Sequence, residues 1–152
     1  MHCLATIRIA LLGAALAFTI PASADSDLDR MIERHVMPRF DQQARIFISN
    51  SGARFVSSSW NSETRTLIAV GEMERRLPAG PLSVAHAPRA DAGRRELKEQ
   101  HVAELCRHPN VGLIGRFLEK HEVTIALVYD REYPRRDPMV VEISHGDLSG
   151  CV

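Results

Sequence analysis

Aromatic side chains and an excess of one charge are what this sequence lacks most. Phe, Tyr and Trp together make up 5% of its 152 residues, so a platform of rings that stacks nucleic-acid bases is not expected. Lys and Arg number 19, and Asp and Glu also number 19. This balance gives little support to binding of nucleic acid or of a membrane surface.

Familiar catalytic motifs are also missing. The sequence has neither a Gly-x-Ser-x-Gly elbow nor a glycine loop that cradles phosphates. Ser51 and Ser149 stand beside glycines and are predicted to lie in turns without a nearby base. His145 and Asp147 are predicted to form a local hydrogen bond rather than a catalytic pair. The residues therefore indicate no cofactor and favour a non-enzymatic protein.

Only one long apolar run is present, over residues 9–20, and it is shorter than the ~20 apolar residues of a membrane-spanning helix. Arg8 precedes the run, and a proline and small residues follow it, in the pattern of a secretory signal peptide. We expect cleavage after residue 24, which leaves residues 25–152 as a single domain without a stable membrane anchor. The mature protein is then periplasmic or secreted.

Cysteine is rare, and each position has a consequence. Cys3 lies in the predicted signal segment, so Cys106 and Cys151 are left to pair, as cysteines of exported proteins usually do. Closing a loop of this length contributes roughly 4 kcal/mol in the chain-entropy model. The alternative is a zinc site formed by Cys106 with His101 and His108. We favour the disulfide, because Cys106 cannot serve both.

Three helices are predicted from the spacing of apolar residues, over 25–37, 94–107 and 109–121. Pro38 disfavours helical geometry at the residue before it, so we expect the first helix to end there. Gly112 and Gly115 weaken the third helix. We interpret them as positions where another element approaches closely.

Five strands are predicted, over 45–49, 54–60, 64–73, 123–129 and 139–143. Short turns between the first three strands favour an antiparallel meander, and the last two strands form a hairpin. Three consecutive serines, 57–59, favour a lightly packed edge strand over a functional face of hydroxyl groups. The predicted fold is α+β: one antiparallel sheet of about five strands, with an N-terminal helix and two middle helices on one side, and one disulfide.

Residues 75–93 interrupt the pattern with prolines and glycines and are predicted to form a long surface connection. Long connections in compact domains often carry function, which makes this segment a candidate binding loop. A mobile linker is an equally good interpretation. The candidate binding residues are Arg75, Arg76, Pro81, His86 and Arg89.

The C-terminal third resembles a known group of sequences. The segment Cys106-Arg-His-Pro109, the apolar strand 123–129 and the final Cys151 are similar to small exported bacterial proteins of the quorum-sensing-regulated virulence factor type and related periplasmic families. The resemblance implies an N-terminal helix that leads into a sheet, a disulfide and export. His121 departs from it, because the family's helix more usually ends in Gly there. The resemblance brings no active site.

Three functions are therefore weighed. The leading hypothesis is an exported, non-enzymatic module that binds a protein or a small ligand through the 75–93 loop and the adjoining strand edge. The second is an exported hydrolase or metal-dependent enzyme, which requires two of His101, His108 and His145 to converge. The third is a subunit of an envelope assembly, whose sheet edge pairs with a neighbour. Oligomeric state is left open.

Overall fold

A computed structural model of the chain describes residues 22–73, 90–131 and 138–151. The elements are α1 (Ala22–Met31), a π-helical segment (Ile32–Val36), α2 (Met37–Asn50), β1 (Ala53–Asn61), β2 (Thr66–Met73), α3 (Ala90–Cys106), α4 (Val111–His121), β3 (Thr124–Arg131), β4 (Met139–Ile143), α5 (His145–Leu148) and a 3₁₀ turn (Ser149–Cys151). The fold is α+β. Within these ranges, no helix has both the length and the apolar character needed to cross a membrane.

The sheet has four strands in the order β1-β2-β3-β4. β1 pairs antiparallel with β2, and β3 pairs antiparallel with β4, but β2 and β3 run parallel. A parallel pair needs a crossover, and here the connection from β2 to β3 carries α3 and α4. The prediction of a purely antiparallel sheet of about five strands is therefore wrong: the described residues form a mixed sheet of four.

The strand predicted over residues 45–49 is part of helix α2. In a strand, Ile46 and Ile48 would share one face, but Ile48 is fully buried whereas Ile46 is 47% exposed. Ala44 and Ile48, four positions apart, instead form the buried side of the helix. Packing against the sheet overrides the strand preference of this β-branched segment.

The sequence predicted that the first helix ends before Pro38. This prediction is wrong, because the chain is helical on both sides of the proline. Pro38 lies in the first turn of α2, where a missing backbone N–H costs least. The π-helical segment comes directly before, and the N–H of Met37 donates to the carbonyl of Ile32, five residues back. The hydrogen-bond register thus changes at the proline while the chain stays helical.

The helices lie on one side of the sheet, as predicted, because alternate residues of every strand point into one shared core. The buried residues of strands β2, β3 and β4 are Leu67, Ala69, Ile125, Leu127, Tyr129, Met139, Val141 and Ile143. From the helical segments they are Ile32, Ala44, Ile48, Leu97, Leu105, Leu118 and Leu148. We call this side of the sheet the helix-covered face.

The serine-rich strand β1 is an edge strand, which confirms the interpretation of residues 57–59. Polar contacts fix it to the helices: Ser58 Oγ donates to Asp41 of α2 (2.8 Å), and Trp60 Nε1 donates to Asp29 of α1 (2.7 Å). The hydrogen bonds from Ser58 and Arg45 hold the pKa of Asp41 below its usual value. Asp41 is therefore an ionised acceptor at neutral pH.

Gly71 of β2 marks the closest approach of α2 to the sheet. A Cβ atom at this position would lie 2.5 Å from Cγ2 of Ile48, which is too close for van der Waals contact. Gly112 and Gly115 of α4 have nothing within 4 Å of such an atom. The interpretation that these two helical glycines allow a close approach is therefore wrong.

We expect Gly71→Ala and Gly115→Ala to change stability in opposite directions. Gly71→Ala forces α2 away from β2 and lowers the free energy of unfolding by about 1–3 kcal/mol. Gly115→Ala meets no neighbour and raises it by up to ~1 kcal/mol through helix propensity. Urea unfolding followed by circular dichroism measures both. A Gly71→Ala protein that unfolds at the wild-type urea concentration would contradict the close contact with Ile48.

Candidate functional site

The candidate binding loop lies mostly outside the described residues. This applies to all five candidate side chains: Arg75, Arg76, Pro81, His86 and Arg89. Its last residues, 90–93, belong instead to the first turn of α3, which begins at Ala90. The binding-loop hypothesis stays a prediction, over a segment shorter at its C-terminal end than the sequence indicated.

The three histidines of the enzyme hypothesis have different surroundings. His101 is buried within α3, and His145 is exposed at the start of α5. His108 lies in the turn before α4, and its Nδ1 accepts a hydrogen bond from the N–H of Asn110 (3.2 Å). In the part of the chain that the structure describes, no group of three or more His, Cys, Asp or Glu side chains is arranged to hold a metal ion.

A buried polar cluster joins α2, α3 and β3. The hydroxyl of Tyr129 lies 2.6 Å from Nε2 of His101 and 3.0 Å from Oγ of Ser51. Oγ of Ser51 lies 3.2 Å from the same Nε2 atom. His101 and Tyr129 are fully buried, and Ser51 is 6% exposed. These three residues form the Ser51–His101–Tyr129 cluster.

Two further contacts extend the cluster at its ends. Oε2 of Glu104 lies 3.4 Å from Nδ1 of His101, and the side-chain amide of Asn50 donates to the other oxygen of Glu104 (3.1 Å). At the opposite end, Ser51 Oγ donates to the carbonyl of Phe47 (2.8 Å). The chain of contacts therefore runs from a half-buried carboxylate to a helical carbonyl.

Proton positions follow from burial. Desolvation lowers the pKa of His101, although Glu104 opposes this shift, so the imidazole is neutral at pH 7. Desolvation also raises the pKa of Tyr129, which keeps its hydroxyl protonated. With the imidazole proton on Nδ1 facing Glu104, Tyr129 donates to Nε2 and Ser51 donates to the Phe47 carbonyl. Every donor of the cluster then has an acceptor.

The contacts from Ser51 to His101 and from His101 to Glu104 follow the order of the nucleophile, base and acid in a catalytic triad. The prediction that Ser51 lies without a nearby base is therefore wrong. Two contacts nevertheless work against nucleophilic attack: the Ser51 proton points to a backbone carbonyl, and the closer Tyr129 hydroxyl occupies Nε2. Because Ser51, His101 and Tyr129 are buried, we interpret their contacts as structural: they fix α2 and α3 to the sheet.

Stability should depend on pH in the window below about 6.5, the ordinary histidine pKa. The unfolded chain binds a proton at His101 that the folded protein resists, so the free energy of unfolding falls as the pH is lowered through this window. His101→Gln should flatten this dependence. His121, whose pKa is also lowered, by burial, Lys120 and Arg65, acts in the same window.

His121→Gln is therefore the matched control for this prediction. Because His121 is far less buried than His101, we expect His121→Gln to keep most of the pH dependence. Urea unfolding at several pH values measures all three proteins. Equal slopes for wild type and His101→Gln would contradict the neutral, buried imidazole.

The disulfide between Cys106 and Cys151 is present, with the two Cα atoms 5.1 Å apart, as predicted. It joins the end of α3 to the last turn of the chain, and while it is intact Cys106 is not a zinc ligand. A second link lies nearby, because Lys98 Nζ is 2.8 Å from Asp147. Asp147 also accepts hydrogen bonds from the backbone N–H and the hydroxyl of Ser144. The C-terminal segment is thus held on α3 at two points.

Replacing both cysteines by serine should lower the free energy of unfolding by up to about 4 kcal/mol, because the unfolded chain regains the freedom of a 45-residue loop. Guanidinium unfolding of the oxidised protein and of the double variant measures the difference. Reductant should bring the wild type to the midpoint of the variant. No difference between the two proteins would show that the bond does not contribute to stability.

The other side of the sheet, which we call the open face, carries the alternate residues of the four strands. Its two central rows, each running from β1 to β4 by the pairing register, are Ser57-Val70-Val128-Val140 and Ser59-Ile68-Ala126-Glu142. The two rows contain five aliphatic residues. Ile68, Val70, Val128 and Val140 are half-buried, and Ala126 is buried. None of the five aliphatic residues belongs to the core cluster that includes the helices.

The border of the open face is polar. Ser57 and Ser59 of β1 and Glu142 of β4 are exposed. Arg54 of β1 forms an ion pair with Glu72, which lies two residues after Val70 in β2. Beside β4, an open cleft of about 410 Å³ is lined by Arg94 and Lys98 of α3 together with strand residues. The open face is therefore a small aliphatic patch within a polar rim.

Comparison with protein-family models, with curated proteins and with solved structures found no match to this chain. The resemblance to small exported bacterial proteins stays a prediction. Neither the Ser51–His101–Tyr129 cluster nor the open face was identified from the sequence. A signal for the open face was present, because apolar residues occupy both alternating sets of β2 and β3.

Proposed function

We propose that this protein is an exported, non-enzymatic interaction module that binds a protein partner through the open face of its sheet. The observation that carries the proposal is the position of five aliphatic residues: Ile68, Val70, Ala126, Val128 and Val140. They lie on the side opposite the helices and do not belong to the core cluster that includes the helices, and Ala126 is buried among its strand neighbours. An apolar patch with a polar rim is the usual composition of a protein-binding surface.

Export is supported by two independent features. The first 24 residues have the charge, apolar run and small residues of a secretory signal peptide. The bond between Cys106 and Cys151 suits an oxidising compartment such as the periplasm or the extracellular space. Cleavage after residue 24 would remove three residues from the start of α1 and leave the rest of the helix.

A role without catalysis is supported by the state of the polar cluster. His101 and Tyr129 are fully buried and bonded to each other, and Ser51 donates to a backbone carbonyl. A catalytic serine needs its hydroxyl directed at a bound substrate. The contacts among Ser51, His101 and Tyr129 hold α2 and α3 in fixed positions behind the sheet, as a rigid interaction surface requires.

Site-specific photo-crosslinking in the exported fraction of the host tests the proposal. A photo-reactive amino acid at Ser57, an exposed position of the open face, should give a defined protein adduct. The matched control is the same amino acid at Leu113 of α4, which is 59% exposed on the helical side. Adducts at Leu113 and none at Ser57 would contradict the use of the open face.

A further inference from the structure

We propose that the partner on the open face is a second copy of this chain, which forms a two-fold dimer with the two sheets packed face to face. This inference rests on the proposed function, since it names the partner of the same surface. It is argued from the register of the strands, from the sizes of the facing side chains and from the area of the sheet.

A two-fold axis parallel to the strands, between β2 and β3, relates the two sheets simply. It places β2 of one copy over β3 of the other, and β1 over β4, because the strand order is β1-β2-β3-β4. Rotation about this axis does not change the position of a residue along the strand direction. Every residue of a row therefore faces a residue of the same row in the second copy.

The rows are complementary to themselves under this operation. At the centre, Ile68 faces Ala126 of the other copy, so that a large side chain opposes a small one. In the adjacent row, Val70 faces Val128. Interdigitation of large and small side chains is how the inner faces of two stacked sheets fill the ~10 Å between them.

At the outer strands the operation places Ser57 opposite Val140 in one row and forms a polar pair in the other. The operation brings Ser59 of β1 opposite Glu142 of β4 in the second copy, which places a hydroxyl donor against a carboxylate acceptor. Both side chains are exposed in the single chain. Stacked sheets cross at about 30° because each is twisted, so the match is closest at the axis and looser at Ser59 and Glu142.

The alternative two-fold axis, perpendicular to the strands, lacks this match. It would place β2 over β2, where Ile68 can face only Thr66, Ile68 or Val70 of the open face and finds no small partner. It would also place β4 over β4 and bring the two copies of Glu142 to the same edge of the interface. The axis parallel to the strands places Glu72 opposite Asp130 in the row beyond Val70 and Val128, so charge does not distinguish the two axes. The size pattern therefore selects the axis parallel to the strands.

The area of the sheet is sufficient for a small specific interface. The strands are ~4.8 Å apart and have nine, eight, eight and five residues, which at ~3.3 Å per residue cover roughly 475 Å² per copy. Two copies then bury about 1,000 Å² in total, which is the lower limit for a specific protein interface. We therefore expect a reversible dimer that forms at micromolar concentrations.

Charge complementation between two variants tests the dimer and its axis. Val70→Glu and Val128→Lys each bury a charge in the interface, so each protein should sediment as a monomer under conditions in which the wild type is a dimer. Mixing the two variants should restore a dimer, because Glu at position 70 of one copy then faces Lys at position 128 of the other. Sedimentation velocity measures all four samples.

Leu113→Lys, on the exposed surface of α4, is the control that should remain dimeric. Circular dichroism and thermal unfolding show that each variant is folded. A wild type that stays monomeric, or single variants that remain dimeric, would overturn the inference. Failure of the mixture to dimerise would also overturn it, since the axis places positions 70 and 128 opposite each other.

The crosslinker at Ser57 gives a second measurement that needs no destabilising substitution. An adduct with twice the mass of the chain supports the dimer. An adduct with a different protein, from a wild type that sediments as a monomer, overturns the dimer and leaves the proposed function standing. The absence of any adduct at Ser57, with a monomeric wild type, would contradict both.

Discussion

The hydrogen bond between the hydroxyl of Tyr129 and Nε2 of His101 is the contact on which the arrangement of the layers depends. It joins the central strand β3 to α3, and Ser51 brings the end of α2 to the same point. Because these groups are buried, any register that left one of them unpaired would cost about 1–3 kcal/mol. The cluster therefore fixes the position of two helices on the sheet.

The consequence is a one-sided domain. The helix-covered face holds the hydrophobic core together with one buried polar cluster, and the open face has aliphatic residues at its centre. The disulfide and the ion pair between Lys98 and Asp147 close the C-terminal segment onto α3, on the helical side. These links strengthen the covered side, and in the described part of the chain the helices pack on that side and not over the open face.

A second copy is the partner that suits this face best, because the register itself supplies the complementarity. Ile68 and Ala126 are neighbours in one row, so a two-fold axis between their strands makes each the other's partner across the interface. Exposed apolar patches on a protein surface are prone to non-specific association. A dimer that covers the face would protect the protein from such association.

Local sequence determined α3, α4 and all four strands to within a few residues, since apolar spacing and short turns fix such elements before any distant contact forms. It also predicted the disulfide, because Cys3 lies in the expected signal segment and Cys106 and Cys151 are the other two cysteines. Tertiary structure alone decided that residues 45–49 are helical, because the packing of Ile48 against Gly71 outweighs a local strand preference. It also decided the parallel pairing of β2 with β3 and the meeting of Ser51 with Tyr129, 78 residues apart. Strand direction and buried polar contacts depend on where distant segments pack, and a periodic pattern of apolar residues does not specify that.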